Sequence, residues 1–391
     1  MKKALILCAS HNDIGMVLSL KKLGYYIICT GKIPNQVGET LCDKYIPGDY
    51  SDMNYMLEIA KDENIDVIVN SCNDWGVYSA AYVAEKLGLP GYDSYETTLI
   101  LNNKDKFKEF AKTIGLNSPI SYSFCNEQSA YTHVKSVKFP VIIKPTDASA
   151  GNGVKKVSNL EEAQEAVRYA FDVSKAKTIV IEPYIEGKQY GFCTFLVDKK
   201  VVAYCSNNEY SIVNPYRVEL NTYPADNFEI VKEELTTQIE LIAEKLNLKD
   251  GIFHLQYIYD GEKAQIIEVM RRLLGNRYFV AGNMLTNTNW EYWETRAKCG
   301  LSCEDFPKTE QIGYVSSKVI LAPENGVIDS ISGLDIYAPY TYDSIQIKNV
   351  GDSISDYRSQ PIAILYLTFS SREQMQQMLV DSFRNDFVKM K

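Results

Sequence analysis

Over the first hundred residues, short apolar runs alternate with segments in which apolar residues recur at helical spacing. Residues 3–9, 25–30 and 65–71 are apolar runs of the length typical of buried strands. Between such runs the spacing predicts helices, for example over 76–87, where Gly88 is suited to end the helix. Strands that alternate with helices predict an α/β domain, in which helices cover both faces of a parallel sheet.

Polar residues follow two of these strands. Ser10, His11 and Asn12 come after the first strand, and Asn73 and Asp74 come after the third. In parallel sheets of this kind, ligands gather at the carboxyl ends of the strands. We therefore expect this edge of the sheet to face a ligand. The first strand is not followed by GxGxxG, so the dinucleotide-binding fingerprint is absent.

After residue 102 the alternating pattern gives way to helices and hairpins. The apolar face of residues 104–114 predicts a helix between Asn103, a suitable N-cap, and Gly115. Residues 140–157 then predict a strand, a loop of small residues and a second strand. This mixture indicates an α+β organisation for the larger, later part of the chain.

Two later helices carry recognisable start signals. A helix over 159–171 is expected to open with a capping box from Ser158 to Glu161, and the last helix is expected to begin at Ser370 and Glu373. The other predicted elements are two hairpins and the helix between them, at 191–206, 253–270 and 230–246.

The composition argues against some classes of function and leaves the predicted fold unchanged. The 391 residues carry a net charge of −9 without basic runs, which argues against nucleic acid or an anionic membrane as a partner. No apolar run is long enough to span a membrane, and the run near the start is too short for a signal peptide. Nine scattered cysteines are expected to be reduced thiols of a cytoplasmic protein. Three histidines are too few for a multi-histidine metal site.

The loop at 147–154 is the first candidate for chemistry. It follows Lys144 and contains Ser149, Gly151 and Gly153, small residues whose backbone N–H groups can approach an anion closely. As a hairpin it can close over phosphate groups, and the Lys144 ammonium supplies a point charge for their oxygens. A mobile surface turn is the alternative interpretation. The sequence contains neither GKS nor GKT, so this loop is not a P-loop.

The segment IEPYIEG is the second candidate. Glu182, near the end of a predicted strand, can accept a hydrogen bond from the exocyclic amine of adenine. The backbone of Tyr184 and Ile185 can supply contacts to the ring. A strand that ends in solvated acids is the alternative interpretation.

The predicted hairpin at 253–270 is the third candidate. Gln256 and Glu268 can face each other across its turn and offer oxygen ligands to Mg²⁺, which needs few protein ligands because phosphates and water complete its octahedron. Arg271 and Arg272 follow at once, and at least one should face the reacting γ-phosphoryl group. A surface ion pair is the alternative for the arginines.

The order and spacing of these motifs strongly resemble the ATP-grasp superfamily. The closest likeness is to the carbamoyl-phosphate-synthase-like carboxylate–amine ligases, and it covers essentially the whole chain, with motifs densest over 102–276. The resemblance implies an N-terminal pre-ATP-grasp α/β domain at 1–100, followed by a two-lobed ATP-grasp fold. The small lobe with the phosphate flap would cover 101–187, and the large lobe with the strand-rich end would cover 188–391.

The resemblance also implies roles for single residues. ATP would be bound through the phosphate-binding lysines, the flap, the adenine-side segment and a ribose-binding position, at Lys104, Lys144, Ser149, Gly151, Gly153, Glu182, Tyr184, Ile185 and Gln189. Gln256 and Glu268 would bind Mg²⁺ or Mn²⁺, and Lys144 and Arg272 would act on the transferred phosphoryl group. Gln189 stands where many relatives have glutamate. Met270 stands at the family's asparagine position, which implies a weak or missing second metal site.

By the same resemblance, the protein activates a small carboxylate as its acyl phosphate and joins it to an amine. Chemistry through carboxyphosphate or carbamoyl phosphate, and ATP binding without turnover, are the alternatives. The partners implied are small molecules and a second copy of the chain in a homodimer. Candidates to hold the substrate carboxylate are Arg217, Arg271, Arg277 and His254.

Overall fold

The N-terminal part contains the expected parallel sheet. The structure, a computed structural model, describes residues 1–148 and 151–391. The strands are β1 (Lys3–Leu7), β2 (Tyr26–Gly31), β3 (Lys44–Pro47) and β4 (Val67–Asn70), in the order β3-β2-β1-β4. The helices are α1 (Ile14–Lys22), α2 (Met53–Asp62), α3 (Asp74–Leu87) and α4 (Tyr95–Asn102). The sequence pattern did not predict β3, a strand of only four residues, none of them fully buried.

A four-stranded antiparallel sheet, called the small-lobe sheet below, follows helix α5 (Lys104–Ile114). Its strands are β5 (Tyr122–Phe124), β6 (Val141–Pro145), β7 (Lys155–Val157) and β8 (Ile179–Pro183), in the order β5-β8-β6-β7. Helices α6 (Glu127–Val134) and α7 (Leu160–Val173) pack against it. Gly115 ends α5 with a φ of 74°, as expected, but the side chain of Asn103 makes no capping hydrogen bond.

An eight-stranded sheet, called the long sheet, forms the rest of the framework together with helix α8 (Phe228–Lys245). Its first five strands in the chain are β9 (Lys188–Val197), β10 (Lys200–Tyr210), β11 (Leu220–Tyr223), β12 (Gly251–Tyr259) and β13 (Ala264–Met270). The predicted hairpins are β9–β10 and β12–β13, and both pair as expected.

The strand-rich end of the chain completes the long sheet and adds a small one. Helices α9 (Tyr278–Thr286) and α10 (Trp290–Lys298) come first, then β14 (Tyr314–Ile320), β15 (Gly326–Ile331), β16 (Thr341–Gln346), β17 (Ser353–Ile354), β18 (Ala363–Phe369), α11 (Arg372–Ser382) and β19 (Val388–Met390). The long sheet runs β13-β12-β9-β10-β11-β14-β18-β16, and the small sheet runs β17-β15-β19. No helix of the described ranges has the length and apolar character needed to cross a bilayer.

Two of the predicted helix starts were wrong by one residue. Helix α7 is capped by Asn159, whose side chain accepts from the backbone N–H of Glu162, rather than by Ser158 with Glu161. The last helix is capped by Ser371, which accepts from the backbone N–H of Gln374. In each case two polar residues adjoin, and the second one has an extended backbone and accepts a hydrogen bond from the first turn of the helix.

One apolar core joins the N-terminal sheet to the long sheet. Ile6 and Val69 of the N-terminal sheet belong to the same buried cluster as Phe195, Trp290 and Tyr366. Helix α1 lies against α10 within this cluster. The carboxyl ends of β1 and β4 are therefore held beside the segment that follows β13.

Candidate functional site

A cavity of about 720 Å³ opens between the N-terminal part, the end of the flap and the long sheet. Its volume suits a nucleotide with a small substrate. Six of the predicted site residues line it: Lys104, Gly151, Gln189, Gln256, Glu268 and Arg272. We call it the main cavity.

Other predicted residues are absent from its lining. Lys144, Gly153, Glu182, Tyr184 and Ile185 do not line the main cavity. Ser149 lies outside the described residues.

Lys144 and Glu182 form a buried ion pair. Val180 of β8 pairs with Lys144 of β6, which brings the Lys144 Nζ within 2.9 Å of Glu182 Oε2. Burial opposes the charge on Glu182, but the ammonium groups of Lys108 and Lys144 hold the pKa of its carboxyl below the ordinary value. Glu182 Oε1 has no hydrogen-bond partner of normal geometry in the described part of the chain. That oxygen is an acceptor suited to the exocyclic amine of adenine.

The backbone beside this acid offers fewer groups than expected. The N–H of Tyr184 already donates to the carbonyl of Pro140 at 3.0 Å. Tyr184 therefore cannot give this donor to a ring nitrogen without losing the bond to Pro140. Ile185 is left as the backbone position for that contact.

Lys108 lines the main cavity but was not among the residues predicted from the sequence. Its ammonium donates to Ser118 Oγ at 2.8 Å and to the carbonyl of Ile266 at 3.2 Å, and lies 3.8 Å from Glu182 Oε1. Burial lowers its pKa to about 8, although Glu182 opposes the shift. The signal in the sequence was a lysine next to Phe107, on the apolar face of a predicted helix.

Lys104 bridges the flap and the predicted metal position. Its Nζ lies 2.9 Å from Glu268 Oε1 and donates to the carbonyl of Ala148 at 2.9 Å. Burial opposes both charges, but each group stabilises the other, so the pKa of Lys104 is raised and that of Glu268 is lowered. A cation and a carboxylate are thus held together at the base of the flap.

Gln256 and Glu268 are direct neighbours on β12 and β13, as the hairpin predicted. One carboxylate and one amide oxygen form a small donor set. They suit a Mg²⁺ ion that arrives with nucleotide phosphates, since phosphates and water supply the remaining ligands. The described residues contain no cluster of three or more His, Cys, Asp or Glu side chains that would bind a metal without a nucleotide.

Glu209 is a second residue that the sequence reading missed. It lines the main cavity, and its Oε2 accepts hydrogen bonds of 2.7 Å from the amides of Gln189 and Gln256. Burial raises the pKa of Glu209 to about 7, against the effect of the amide donors. Its signal was the polar run Asn207-Asn208-Glu209 at the end of an otherwise apolar strand.

Arg272 reaches across to the N-terminal part. Its Nε donates to Asp74 Oδ1 at 2.6 Å, and its Nη1 donates to the carbonyl of Leu273 at 2.9 Å. Asp74 is the first residue of α3, at the carboxyl edge of the N-terminal sheet where a ligand was expected. The guanidinium therefore lines the main cavity in a fixed position.

The structure places the four residues that were candidates to bind a substrate carboxylate in different surroundings. Arg271 was a wrong choice, because its Nε lies 3.0 Å from Asp93 Oδ2 and its other donors bind backbone carbonyls. Arg277 lines a second cavity of about 730 Å³ instead. Arg217 and His254 line the main cavity, but burial and Arg272 lower the pKa of His254 to about 3. A neutral imidazole cannot hold a carboxylate by charge.

The described end of the flap rests on the loop before β11. Gly151 and Gly153 have φ angles of 73° and 76°, which favour glycine. A Cβ on Gly151 would lie 2.5 Å from Tyr216 Cβ, so only glycine allows this approach. The hydroxyl of Tyr216 accepts from the N–H of Lys156 at 2.6 Å. These contacts hold the described end of the flap against the loop before β11, beside the main cavity.

Comparison with known protein families agrees with this geometry. A profile described as the phosphoribosylglycinamide synthetase ATP-grasp (A) domain matches residues 102–222. The carbamoyl phosphate synthase large chain of Clostridium acetobutylicum is 25% identical over 282 residues, which make up 68% of this chain and 25% of that protein. The chain thus spans about a quarter of the length of this relative, and 17% of the length of two others.

Solved structures resemble the chain over its whole length. The L-amino acid ligase from Bacillus licheniformis superposes with a TM-score of 0.83 at 18% identity, covering 100% of this chain and 99% of that one. The biotin carboxylase domain of Hydrogenobacter thermophilus 2-oxoglutarate carboxylase, solved with MgADP, ADP and bicarbonate, gives 0.78 at 17% identity, covering 100% and 92%. At these identities the likeness shows a shared fold.

Proposed function

We propose that this chain is a member of the ATP-grasp superfamily and acts as an ATP- and Mg²⁺-dependent ligase. It activates a small carboxylate as the acyl phosphate and joins it to an amine, with release of ADP and phosphate. This chemistry needs no covalent nucleophile on the protein, because it depends on positioning and on charge. The contacts in the main cavity support each part of the proposal.

The position of Lys104 carries the proposal. One ammonium contacts both Glu268, which we assign to the metal, and the carbonyl of Ala148 at the start of the flap. The negative triphosphate requires cations at the place where the flap closes over it, and a carboxylate there requires a cation of its own. The ammonium of Lys104 meets both requirements, because it lies between Glu268 and the start of the flap.

The adenine end of the nucleotide is assigned to the edge of the small-lobe sheet. The free Oε1 of Glu182 accepts from the exocyclic amine, and the backbone of Ile185 contacts the ring. Lys144 keeps Glu182 ionised and turned in this direction, and its ammonium is also suited to the phosphates. Gln189, whose side chain lines the main cavity, is assigned to the ribose.

The reacting end is assigned to Glu268, Gln256 and Arg272. Mg²⁺ bound by Glu268 and Gln256 would neutralise the β- and γ-phosphates, as it does in other phosphoryl transfers. Arg272, held by Asp74, adds a fixed guanidinium for the charge that spreads over the transferred phosphoryl group. The carboxylate of the acid then attacks in line, and the amine displaces phosphate from the acyl phosphate.

The proposal is tested by measuring ADP release with pools of carboxylic acids and amines. ADP should appear only when an acid and an amine are both present. Bicarbonate in place of the acid tests carboxyphosphate chemistry, and ATP binding without any ADP release would support a module without turnover. Lys104→Ala should abolish release, and Lys106→Ala, which removes an exposed lysine of the same helix, should not.

The division of the chain belongs to the same proposal. We assign 1–100 to the pre-ATP-grasp domain, 101–187 to the small lobe and 188–391 to the large lobe, in agreement with the strands of the N-terminal, small-lobe and long sheets. We also assign it to the cytoplasm, as a homodimer. The carboxylase domain of similar fold was solved as a dimer, and light scattering measures the mass of this protein in solution.

A further inference from the structure

One carboxylate of the main cavity has no role in the proposed function. Glu209 lies near the end of β10, between the side chains of Gln189 on β9 and Gln256 on β12. Its Oε2 is 2.7 Å from both amide nitrogens. The structure thus contains a carboxylate that joins the position assigned to ribose with the position assigned to the metal.

The other three acids that line the main cavity have partners of a different kind. Glu268 pairs with Lys104, and Asp74 pairs with Arg272. Asp147 accepts from the Ser174 hydroxyl and from the backbone of Ala176. Glu209 has no ion-pair partner in residues 1–148 and 151–391, and its hydrogen bonds come from the two amides.

These bonds fix which end of each amide faces the nucleotide. A glutamine side chain has a donor end and an acceptor end, whereas an ionised carboxylate only accepts. Gln189 and Gln256 must therefore turn their nitrogens towards Glu209. Their oxygens are left for other groups, and oxygen is the atom that can bind Mg²⁺ or accept from a ribose hydroxyl.

The same contacts explain why amides occupy both positions. A carboxylate at 189 or at 256 would place a second negative charge within hydrogen-bond distance of Glu209, which is unfavourable away from bulk water. Glu209 and the two glutamines are a matched set. A change in one requires a compensating change in another.

We propose that Glu209 is a positioning residue, which orients the amide oxygen of Gln256 towards Mg²⁺ beside Glu268 and that of Gln189 towards the ribose. This inference rests on the proposed function, because both oriented groups are assigned to ATP. Glu209 acts through the two amides, and it need not touch the nucleotide.

A charge swap tests the set. In Glu209→Gln, the carboxylate that accepts from two amides is replaced by a third amide. In Gln256→Glu, a second carboxylate is placed beside that of Glu209. In the double variant Glu209→Gln/Gln256→Glu, Gln189 can donate to the new amide oxygen, and the new amide can donate to the new carboxylate. The double variant restores a complete set of donors and acceptors, with the negative charge moved from position 209 on β10 to position 256 on β12.

The measurement is the dissociation constant of a non-hydrolysable ATP analogue, by calorimetry, with saturating Mg²⁺ and with EDTA. Each single variant should lose about ten-fold or more of the affinity gained with Mg²⁺, as is typical when a partner of a metal ligand is removed. The double variant should recover most of it. Glu262→Gln, which removes an exposed acid at the turn of the β12–β13 hairpin, should match the unmodified protein.

The outcomes separate this inference from the proposed function. If the unmodified protein does not bind the analogue, the proposed function fails before any variant is made. If it binds with Mg²⁺ dependence and Glu209→Gln does so equally, Glu209 does not position the amides. If both single variants and the double variant are equally weak, the role of Glu209 is structural only, and the inference is overturned. If Glu209→Gln does not fold, Gln256→Glu and the double variant still decide between these results.

Discussion

At the scale of single residues, Glu182 shows how the small lobe keeps a charge away from water. Its side chain is 4% exposed, and the ammonium groups of Lys144 and Lys108 lie 2.9 and 3.8 Å from its oxygens. A carboxylate enclosed in this way stays ionised only because cations accompany it. Removal of its charge leaves two buried ammonium groups without their partner.

We predict that Glu182→Gln lowers the free energy of unfolding at pH 7 by about 3 kcal/mol, as when one partner of a buried pair is removed. The pKa of Glu182 is lower in the folded protein than its unfolded value of 4.5. Its contribution is therefore present above that value and lost as the pH falls through the folded pKa. Urea unfolding at pH 7 and at about pH 3.5 should show a large and then a smaller difference from the unmodified protein.

Glu186→Gln is the matched control, because Glu186 is an exposed acid four residues further along the chain. It should change the stability little at either pH. A loss for Glu182→Gln that stays the same in acid would mean that the pairing with the lysines is not its cause.

Single residues also mark where the sequence was sufficient. Gln256 and Glu268 were expected to face each other across the hairpin, and they do, although a bulge between Gln256 and Tyr257 sets the register that pairs them. Strand alternation from Glu268 also puts Arg272, rather than Arg271, on the side of the cavity. Glu209 could not be found in this way. Its contacts depend on β9 lying between β10 and β12, and that order is set by tertiary packing.

At the scale of elements, the β12–β13 hairpin determines which ligand atoms the proposed metal position offers. Glu268 and Met270 are two residues apart on β13, and both line the main cavity opposite Gln256 and His254. A thioether is a poor ligand for Mg²⁺, whereas an amide oxygen is a suitable one. The hairpin thus presents one carboxylate and one amide oxygen, with a sulfur where a further oxygen would fit.

We predict that Met270→Asn lowers the Mg²⁺ concentration needed for half-maximal ADP release, by about three-fold or more. The new oxygen lies beside Glu268 and adds a ligand, while the adenine end at Glu182 is unchanged. Magnesium titrations of ADP release measure the effect. Met270→Leu, which changes the shape without adding a ligand, serves as the control, and an equal shift in both variants would contradict the metal assignment.

Helix α7 gives an element-scale test that is independent of the site. Asn159→Ala removes a side-chain acceptor from the N–H of Glu162 and should cost about 1 kcal/mol of stability. Ser158→Ala should cost much less, because the backbone of Ser158, rather than its side chain, bonds to Glu162. Urea unfolding of the two variants compares them directly, and a greater loss from Ser158→Ala would restore the original sequence interpretation.

At the scale of the whole molecule, two consecutive arginines join the long sheet to the N-terminal part in different ways. Arg271 pairs with Asp93 in a buried contact and also binds backbone carbonyls at the start of β12. Arg272 pairs with Asp74 at the wall of the main cavity, where Asp74 is 32% exposed. The first contact holds the parts together, and in the proposed function the second positions a charge for the reaction.

We predict opposite effects for the two acids. Asp93→Asn should lower the free energy of unfolding by about 3 kcal/mol, because it leaves the Arg271 guanidinium buried without its counter-charge. Nucleotide affinity should change little. Asp74→Asn should change stability by less than about 1 kcal/mol, since Asp74 itself is 32% exposed at the wall of the main cavity, and should lower kcat at least ten-fold. Each variant is the control for the other, and the same profile in both would show that the two arginines do not differ in role.

The overall architecture was predictable where patterns are local. The parallel N-terminal sheet followed from strands alternating with helices, and the later hairpins followed from their turns. The order of the eight strands in the long sheet was not predictable, because β14 pairs with β11 across more than 90 residues of the chain and β18 then pairs with β14. The Arg272–Asp74 contact, which spans 198 residues, depends on that order.

The apolar core shared by the N-terminal and long sheets limits how the chain can be recombined. A chimaera that takes its first hundred residues from another protein would have to reproduce Ile6 and Val69 against Phe195 and Trp290. It would also have to return an acid to the place of Asp74, or Arg272 would lose its anchor. A crossover at the junction between the two sheets is therefore not sufficient by itself. The side chains that meet across this core must also be matched.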